Sequence, residues 1–168
     1  MLKIITIGVY GATEAEFFGA LREAGVDTFC DIRWRRGLRG SEYAFANSAR
    51  LQKRLGEMGI RYLHFRDVAP PPAVRQRQAA ADGASGTAKR KRVELGEAFV
   101  AAYHDKCLDA FNSRAFIESL GPDARAVALF CVEREPGACH RSLLADRLKQ
   151  DLGEEIEVLH VKPGHATP

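Results

Sequence analysis

The sequence predicts a three-layer, Rossmann-like α/β fold with a mainly parallel sheet of about five strands. Short apolar runs alternate along the chain with stretches of helical spacing, the pattern of strands joined by crossover helices. The helical stretches also carry their own start and stop residues, which sets each apolar run apart from the next. Strands are expected near residues 3–7, 26–32, 60–65, 125–132 and 156–161.

Each element has a local reason. KIITI (3–7) is a short buried strand ending at Gly8. Thr13 and Glu16 make a T-x-x-E capping box, in which each side chain satisfies the other residue's free backbone N–H. The helix it opens runs to about Ala24, with Phe17, Phe18 and Leu21 on one face and Gly25 as the stop. VDTFCDI (26–32) is the second strand, and RWRRGLRGSEY after it is a loop. Asn47 or Ser48 caps a helix carrying Leu51, Leu55 and Met58; Gly59 ends it, and IRYLHF is the third strand.

Pro70, Pro71 and Pro72, followed by a Gly-Ala-Ser-Gly-Thr tract and the basic run 89–92, predict a flexible basic excursion over 68–92. Helical spacing resumes at Leu95, with Phe99, Ala102, Tyr103, Cys107 and Ala110 on one face. Asn112 or Ser113 caps a further helix that Gly121-Pro122 stops. ARAVALFCV is the most strand-like run; the loop EREPGA leads from it to a helix from about Cys139 to Leu152. IEVLHV is the last strand. The reading is one domain over 1–163 with a frayed tail at 164–168.

Composition excludes several classes. The chain of 168 residues is 46% hydrophobic and 28% charged, which argues against disorder, collagen and a disulfide scaffold. Its longest apolar run, Ala126 to Val132, is seven residues, against the roughly 20 that cross a bilayer, so no membrane partner is expected. No small-residue cleavage site follows the apolar start, and no signal peptide is expected. Four cysteines (30, 107, 131 and 139) without short paired spacing suggest a reduced cytoplasmic protein. The net charge of +3 is uneven: residues 33–54 carry seven Lys or Arg against one Glu, and residues 70–92 six against one Asp. Such local fields favour polyanions, a phosphate-bearing ligand or nucleic acid, although a solvated Arg-rich loop has the same composition.

A parallel sheet brings its strand carboxyl ends to one edge, where ligands bind. Tyr10, Asp31, Arg33, His64, Cys131, Glu133, Arg134, Cys139, His140 and Arg141 all fall at that edge. Cys131 to Arg141 carries the sharpest signal. Cys139, His140 and Arg141 are placed in a first helical turn, whose free N–H groups attract anions and favour a thiolate. Glu133 opposes a thiolate by like charge. A cysteine-phosphatase loop fails, because the position that needs Arg is Gly137. Zinc on Cys131, Cys139 and His140 meets two objections: the seven-residue spacing fits no common zinc motif, and adjacent Cys-His ligands strain a tetrahedral site. No metal or cofactor is therefore expected. Cys131 could equally be a buried strand residue, and Cys139 a small capping one. Asp31 either serves the cleft or pairs with Arg33 or Arg141 to fix a loop. Trp34 either stacks on a base or on Arg, or caps the core. Cys30 and Cys107 read as core residues, His104 and His165 as surface residues.

The chain resembles the domain of unknown function 488, a family of small bacterial and archaeal proteins. The resemblance rests on TIG (6–8), the strand ending D-I-R (31–33), GIRYLH (59–64), C-x-E-x-x-P-x-x-C-H-R (131–141) followed by LLA, and EVLHV (157–161). It implies an α/β fold with the Cys-His-Arg segment near a cleft, and no established activity. Together the readings suggest an anion-binding cleft, in an enzyme of hydrolase or transferase type or in a non-catalytic nucleic-acid-binding module, with a metal-binding protein as a further alternative. The expected catalytic residues are Cys139, His140, Asp31 and Glu133; the expected substrate contacts are Arg33, Arg141, Tyr10 and His64.

Overall fold

The computed structural model describes residues 1–88 and 91–164. Strands β1 (Leu2–Ile7), β2 (Thr28–Asp31), β3 (Arg61–His64), β4 (Ala126–Phe130) and β5 (Ile156–Val161) form one sheet in the order β3-β2-β4-β1-β5. Every pairing is parallel. All five residues of β4 are buried, because helices cover both faces of a parallel sheet. The expected strands are present, each within two residues of its predicted ends.

The first helices form where the sequence places them. In α1 (Glu14–Glu23) the capping box is complete, with Thr13 N donating to Glu16 at 2.8 Å and Glu16 N donating to Thr13 Oγ1 at 3.2 Å. Phe17 on its buried face packs against Phe29 of β2 and Phe130 of β4, with ring centroids 6.4 and 5.5 Å away. In α2 (Ser48–Glu57), Leu51 and Leu55 are buried. Asn47 precedes it without capping it; its side chain instead accepts Leu38 N at 2.6 Å and closes the Arg-rich loop.

The segment expected to be an irregular excursion is largely a helix, α3 (Pro72–Ser85). Proline is excluded from a helix interior, but at the first helical position its missing N–H has no partner to lose and its fixed φ is already helical. Pro72 occupies that start, and Gly86, left-handed at φ 67°, ends the helix. Val74 and Gln78 are its buried residues. Gln78 Oε1 accepts Gly96 N at 2.8 Å, which ties α3 to the start of α4 (Glu97–Tyr103). Lys89 and Arg90 of the basic run, and residues 165–168 of the predicted tail with His165, lie outside the described residues.

One helical face also departs from expectation. Phe99, Tyr103 and Leu108 are buried, whereas Cys107 is half-buried and Ala110 exposed. After α4 the chain makes a π-helical turn over His104–Leu108, and Asp109 N donates to His104 O at 2.8 Å. That turn holds one residue more than an α turn, so the inward position moves from 107 to 108. Helices α5 (Ser113–Ser119) and α6 (His140–Leu152) complete the fold. Asn112 caps α5 by accepting Ala115 N.

From β2 the chain moves outward to β3, and from β4 in the opposite direction to β5. With right-handed crossovers the connecting helices lie on opposite faces, and a crevice opens beyond the adjacent ends of β2 and β4. The loop after β1 borders it, since Val9 N and Tyr10 N both donate to Val132 O. That approach needs Gly8, where a Cβ would collide with the Glu133 carbonyl and come within 3.2 Å of Arg141. Because the obstacle is backbone, Gly8→Ala is expected to destabilise the fold by about 3 kcal/mol, as overpacking does. Urea unfolding of the two proteins would measure it; an unchanged midpoint would mean that the loop yields freely.

Candidate functional site

A cavity of about 530 Å³ fills this crevice. Its floor is made by Cys131, Glu133, Cys139 and His140, and its opposite wall by Arg75, Gln78 and Asp82 of α3. Arg33, Trp34 and Arg35, just beyond β2, complete the rim.

Cys139 is the N-cap residue of α6, extended at φ −141° and ψ 146°, one place earlier than the predicted first turn. His140 is the first residue of the helix. The break between extended and helical backbone lets the two adjacent side chains converge, with Cys139 Sγ 3.6 Å from His140 Nδ1. His140 Nε2 lies 2.8 Å from Ile32 O. A carbonyl only accepts, so Nε2 carries a proton, and Nδ1 is the ring nitrogen that faces the sulfur.

Cys131 and Cys139 form a coupled pair. Burial pushes the Cys139 thiol up, but the hydrogen bond from Cys131 and the charges of His140 and Arg141 outweigh it and hold Cys139 well below the usual thiol range. Cys131 is pushed well above that range by its hydrogen bond to Cys139, then by burial and the charge of Glu133. Of the two thiols, Cys139 is therefore the one that ionises more readily. Cys30, fully buried within β2, is raised by desolvation, and Cys107, half-buried, is pushed up to about 11.

The predicted residues divide into two groups. Cys139, His140, Glu133 and Arg33 line the cavity, whereas Asp31, Arg141, Tyr10 and His64 do not. Asp31 is fully buried beneath Arg33 and pairs with it twice, Nε to Oδ1 at 2.8 Å and Nη2 to Oδ2 at 2.7 Å. Tyr62 donates its hydroxyl to the same carboxylate, and Arg33 Nη1 donates to Ala46 O. With all of these groups engaged, the pair fixes the loop after β2, the structural one of the two roles the sequence left open. Arg141 is fully buried too, donating to Glu133 O at 2.6 Å and Arg134 O at 3.0 Å. The geometry therefore makes Arg141 a brace for the loop after β4 instead of the expected anion clamp. Tyr10 packs on Tyr43 at 5.2 Å, and His64 Nε2 meets Arg33 O at 3.0 Å. Trp34 carries the Arg66 guanidinium over its ring at 4.2 Å, the stack on Arg rather than the core cap.

The α3 wall does not follow from the irregular segment that three prolines and a glycine-rich tract predict. Arg92 reaches back from beyond α3 to pair with Asp82 and, at 3.5 Å, with Glu133. Arg75 is different: no carboxylate pairs with it among the described residues, and its Nε, like that of Arg141, is buried without a partner. Burial, then the charge of Arg35, pushes its guanidinium down from its usual value. The available signal was Pro72 as a helix start with Gly86 as its stop, which would have put Arg75, Gln78 and Asp82 on one face at helical spacing.

The chain belongs to the family described as domain of unknown function DUF488, whose model matches residues 13–148. No curated protein and no solved structure matches it. Among the described residues, no helix is long and apolar enough to cross a membrane.

Two outcomes follow from this geometry. Asp31→Ala strands the Arg33 charge and is expected to cost about 3–5 kcal/mol in chemical denaturation, with part recovered in Asp31→Ala/Arg33→Met. A double variant no better than the single one would show that the pair is not the source of the loss. In alkylation, a lowered pKa means that Cys139 keeps its thiolate as the pH falls below the ordinary thiol range. Iodoacetamide should then modify Cys139 before Cys30, Cys107 and Cys131, by peptide mass mapping at several pH values. A Cys139 rate that falls in step with that of Cys107 would refute the assignment.

Proposed function

We propose that this protein binds a phosphate-bearing ligand in the cleft at the strand carboxyl edge and presents it to Cys139. One observation carries the reading: Arg75 and Arg35 line the cavity together with no paired carboxylate among the described residues. Like charges held side by side repel, and an anion placed between them relieves the repulsion while satisfying guanidinium donors. The other arginines close to the floor are engaged already, Arg33 with Asp31, Arg92 with Asp82 and Glu133, and Arg141 with backbone carbonyls. As an enzyme of hydrolase or transferase type, the protein would use Cys139 Sγ as nucleophile, with His140 Nδ1 beside it to hold or take the proton. A reducing, cytoplasmic setting suits four free thiols of which one is readily ionised.

Trp34 is the single tryptophan of the chain and lines the cavity, so its fluorescence reports on occupancy. Inorganic phosphate, a nucleoside monophosphate and a short single-stranded oligonucleotide are the probes. Binding is expected to weaken with salt, and by about tenfold in Arg75→Gln or Arg35→Gln, each of which removes a charged hydrogen-bond donor. Cys139→Ala should bind as the unaltered chain does. If none of the three probes binds at low salt, or the arginine variants bind equally well, the cleft is not an anion site.

A further inference from the structure

The sequence argues against a metal on two grounds, spacing and the adjacency of the Cys and His, and the geometry removes both. Cys131, Cys139 and His140 are all buried, and their ligand atoms lie within 4.8 Å of one another. Tetrahedral zinc, with bonds of about 2.3 Å to sulfur and about 2.0–2.1 Å to nitrogen, separates sulfur from nitrogen by about 3.6 Å. Cys139 Sγ and His140 Nδ1 already stand 3.6 Å apart. Sequence spacing matters only where a motif must close its own loop. Here Cys131 directly follows β4 while Cys139 and His140 open α6, so the sheet edge makes the closure. Adjacency would strain a continuous strand or helix. The change of backbone at the N-cap lets the two neighbours face a common point.

We propose that Cys131, Cys139 and His140 form a binding site for a divalent cation of the zinc class, with a fourth position open to the cavity. The second independent sign is the His140 ring. Its Nε2 proton is held by Ile32 O at 2.8 Å, the kind of outer hydrogen bond that orients a ligating imidazole and aims the Nδ1 lone pair at the metal. Two thiolates balance the charge of the ion, and Glu133, on the same cavity wall, adds a carboxylate nearby. All three donors line the cavity that Arg75 also lines, so a water or an anion can take the remaining coordination position. Three protein ligands with one exchangeable place is the arrangement of a catalytic rather than a structural zinc site. The inference goes beyond the anion-binding reading, which stands with or without a metal. The reactive thiolate belongs to the metal-free chain and becomes a ligand when the ion binds.

The test uses the full chain, reduced and stripped by a chelator, titrated with cobalt(II) alone. One equivalent should bind with the near-ultraviolet thiolate-to-cobalt absorption and the visible bands of a tetrahedral centre, and zinc should displace it. Cys131→Ser should weaken binding by at least about tenfold, as loss of one ligand implies, while Cys107→Ser leaves it unchanged. Since Cys131→Ser could unfold the sheet edge, the unaltered chain gives a second readout: stoichiometric zinc should slow alkylation of Cys139 and leave that of Cys107 as it was. No tetrahedral spectrum, a spectrum indifferent to Cys131→Ser in folded protein, or zinc that protects neither thiol or both alike overturns the site. Phosphate binding reported by Trp34 in the stripped chain is measured separately, so a failed metal titration leaves the anion-cleft reading standing, and the reverse also holds.

Discussion

The Arg141 guanidinium sits where water does not reach, and the loop after β4 is shaped around it. Its two amino groups hold the carbonyls of Glu133 and Arg134. These contacts turn the chain back toward the start of α6, so that Cys131 and Cys139, eight positions apart, end in hydrogen-bond contact. The same loop carries Glu133 to the cavity and brings its carbonyl against Gly8. A charge buried this deeply is tolerable only where polar atoms surround it, and the carbonyls of a tight loop meet that need at both amino groups, while Nε is left without a partner. The positions of both thiols, the carboxylate and the first loop therefore all follow from one side chain.

A second buried charge shapes the neighbouring strand end. Asp31 and Arg33 satisfy each other completely, with Tyr62 and the carbonyl of Ala46 taking the remaining contacts. The cost of burying two ions is offset by geometry rather than by charge alone. The arginine-rich appearance of the sequence is thus misleading about binding. Most of the arginines around the crevice hold the protein to itself, and two that line the cavity, Arg75 and Arg35, have no carboxylate partner among the described residues.

The fold was legible in the sequence because its signals are local. Strand, capping residue, apolar face and stop follow one another in a fixed order, and the Thr13–Glu16 box and the Asn112 cap form as written. The convergence of Cys131, Cys139 and His140 on one edge was also legible, since a parallel sheet fixes where strand ends go. What was not legible depends on orientation. Arg33 and Arg141 were recognisable as residues of the edge, but whether a guanidinium turns to a ligand or to a carbonyl is decided by packing several elements away. The α3 segment was hidden for another reason. Its glycines and alanines give it little apolar weight, and three prolines outweighed the helix-start meaning of the last of them. At 104–108 a single π turn shifted the buried face by one place, a change no periodicity of 3.6 can anticipate.

The helix that walls the cleft lies between β3 and β4, held by Val74 in the core, by Gln78 and by the Asp82–Arg92 pair. It belongs to no strand register and fills no place in the sheet. Its exposed positions can therefore change with little effect on the strands that place the thiols and the histidine opposite. A chemical floor fixed by the sheet and a wall carried on a separate helix is an arrangement in which ligand choice can diversify while the reactive centre stays constant. In relatives that share the Cys-His-Arg segment, the differences in what is bound should be written in the stretch that corresponds to residues 70–92.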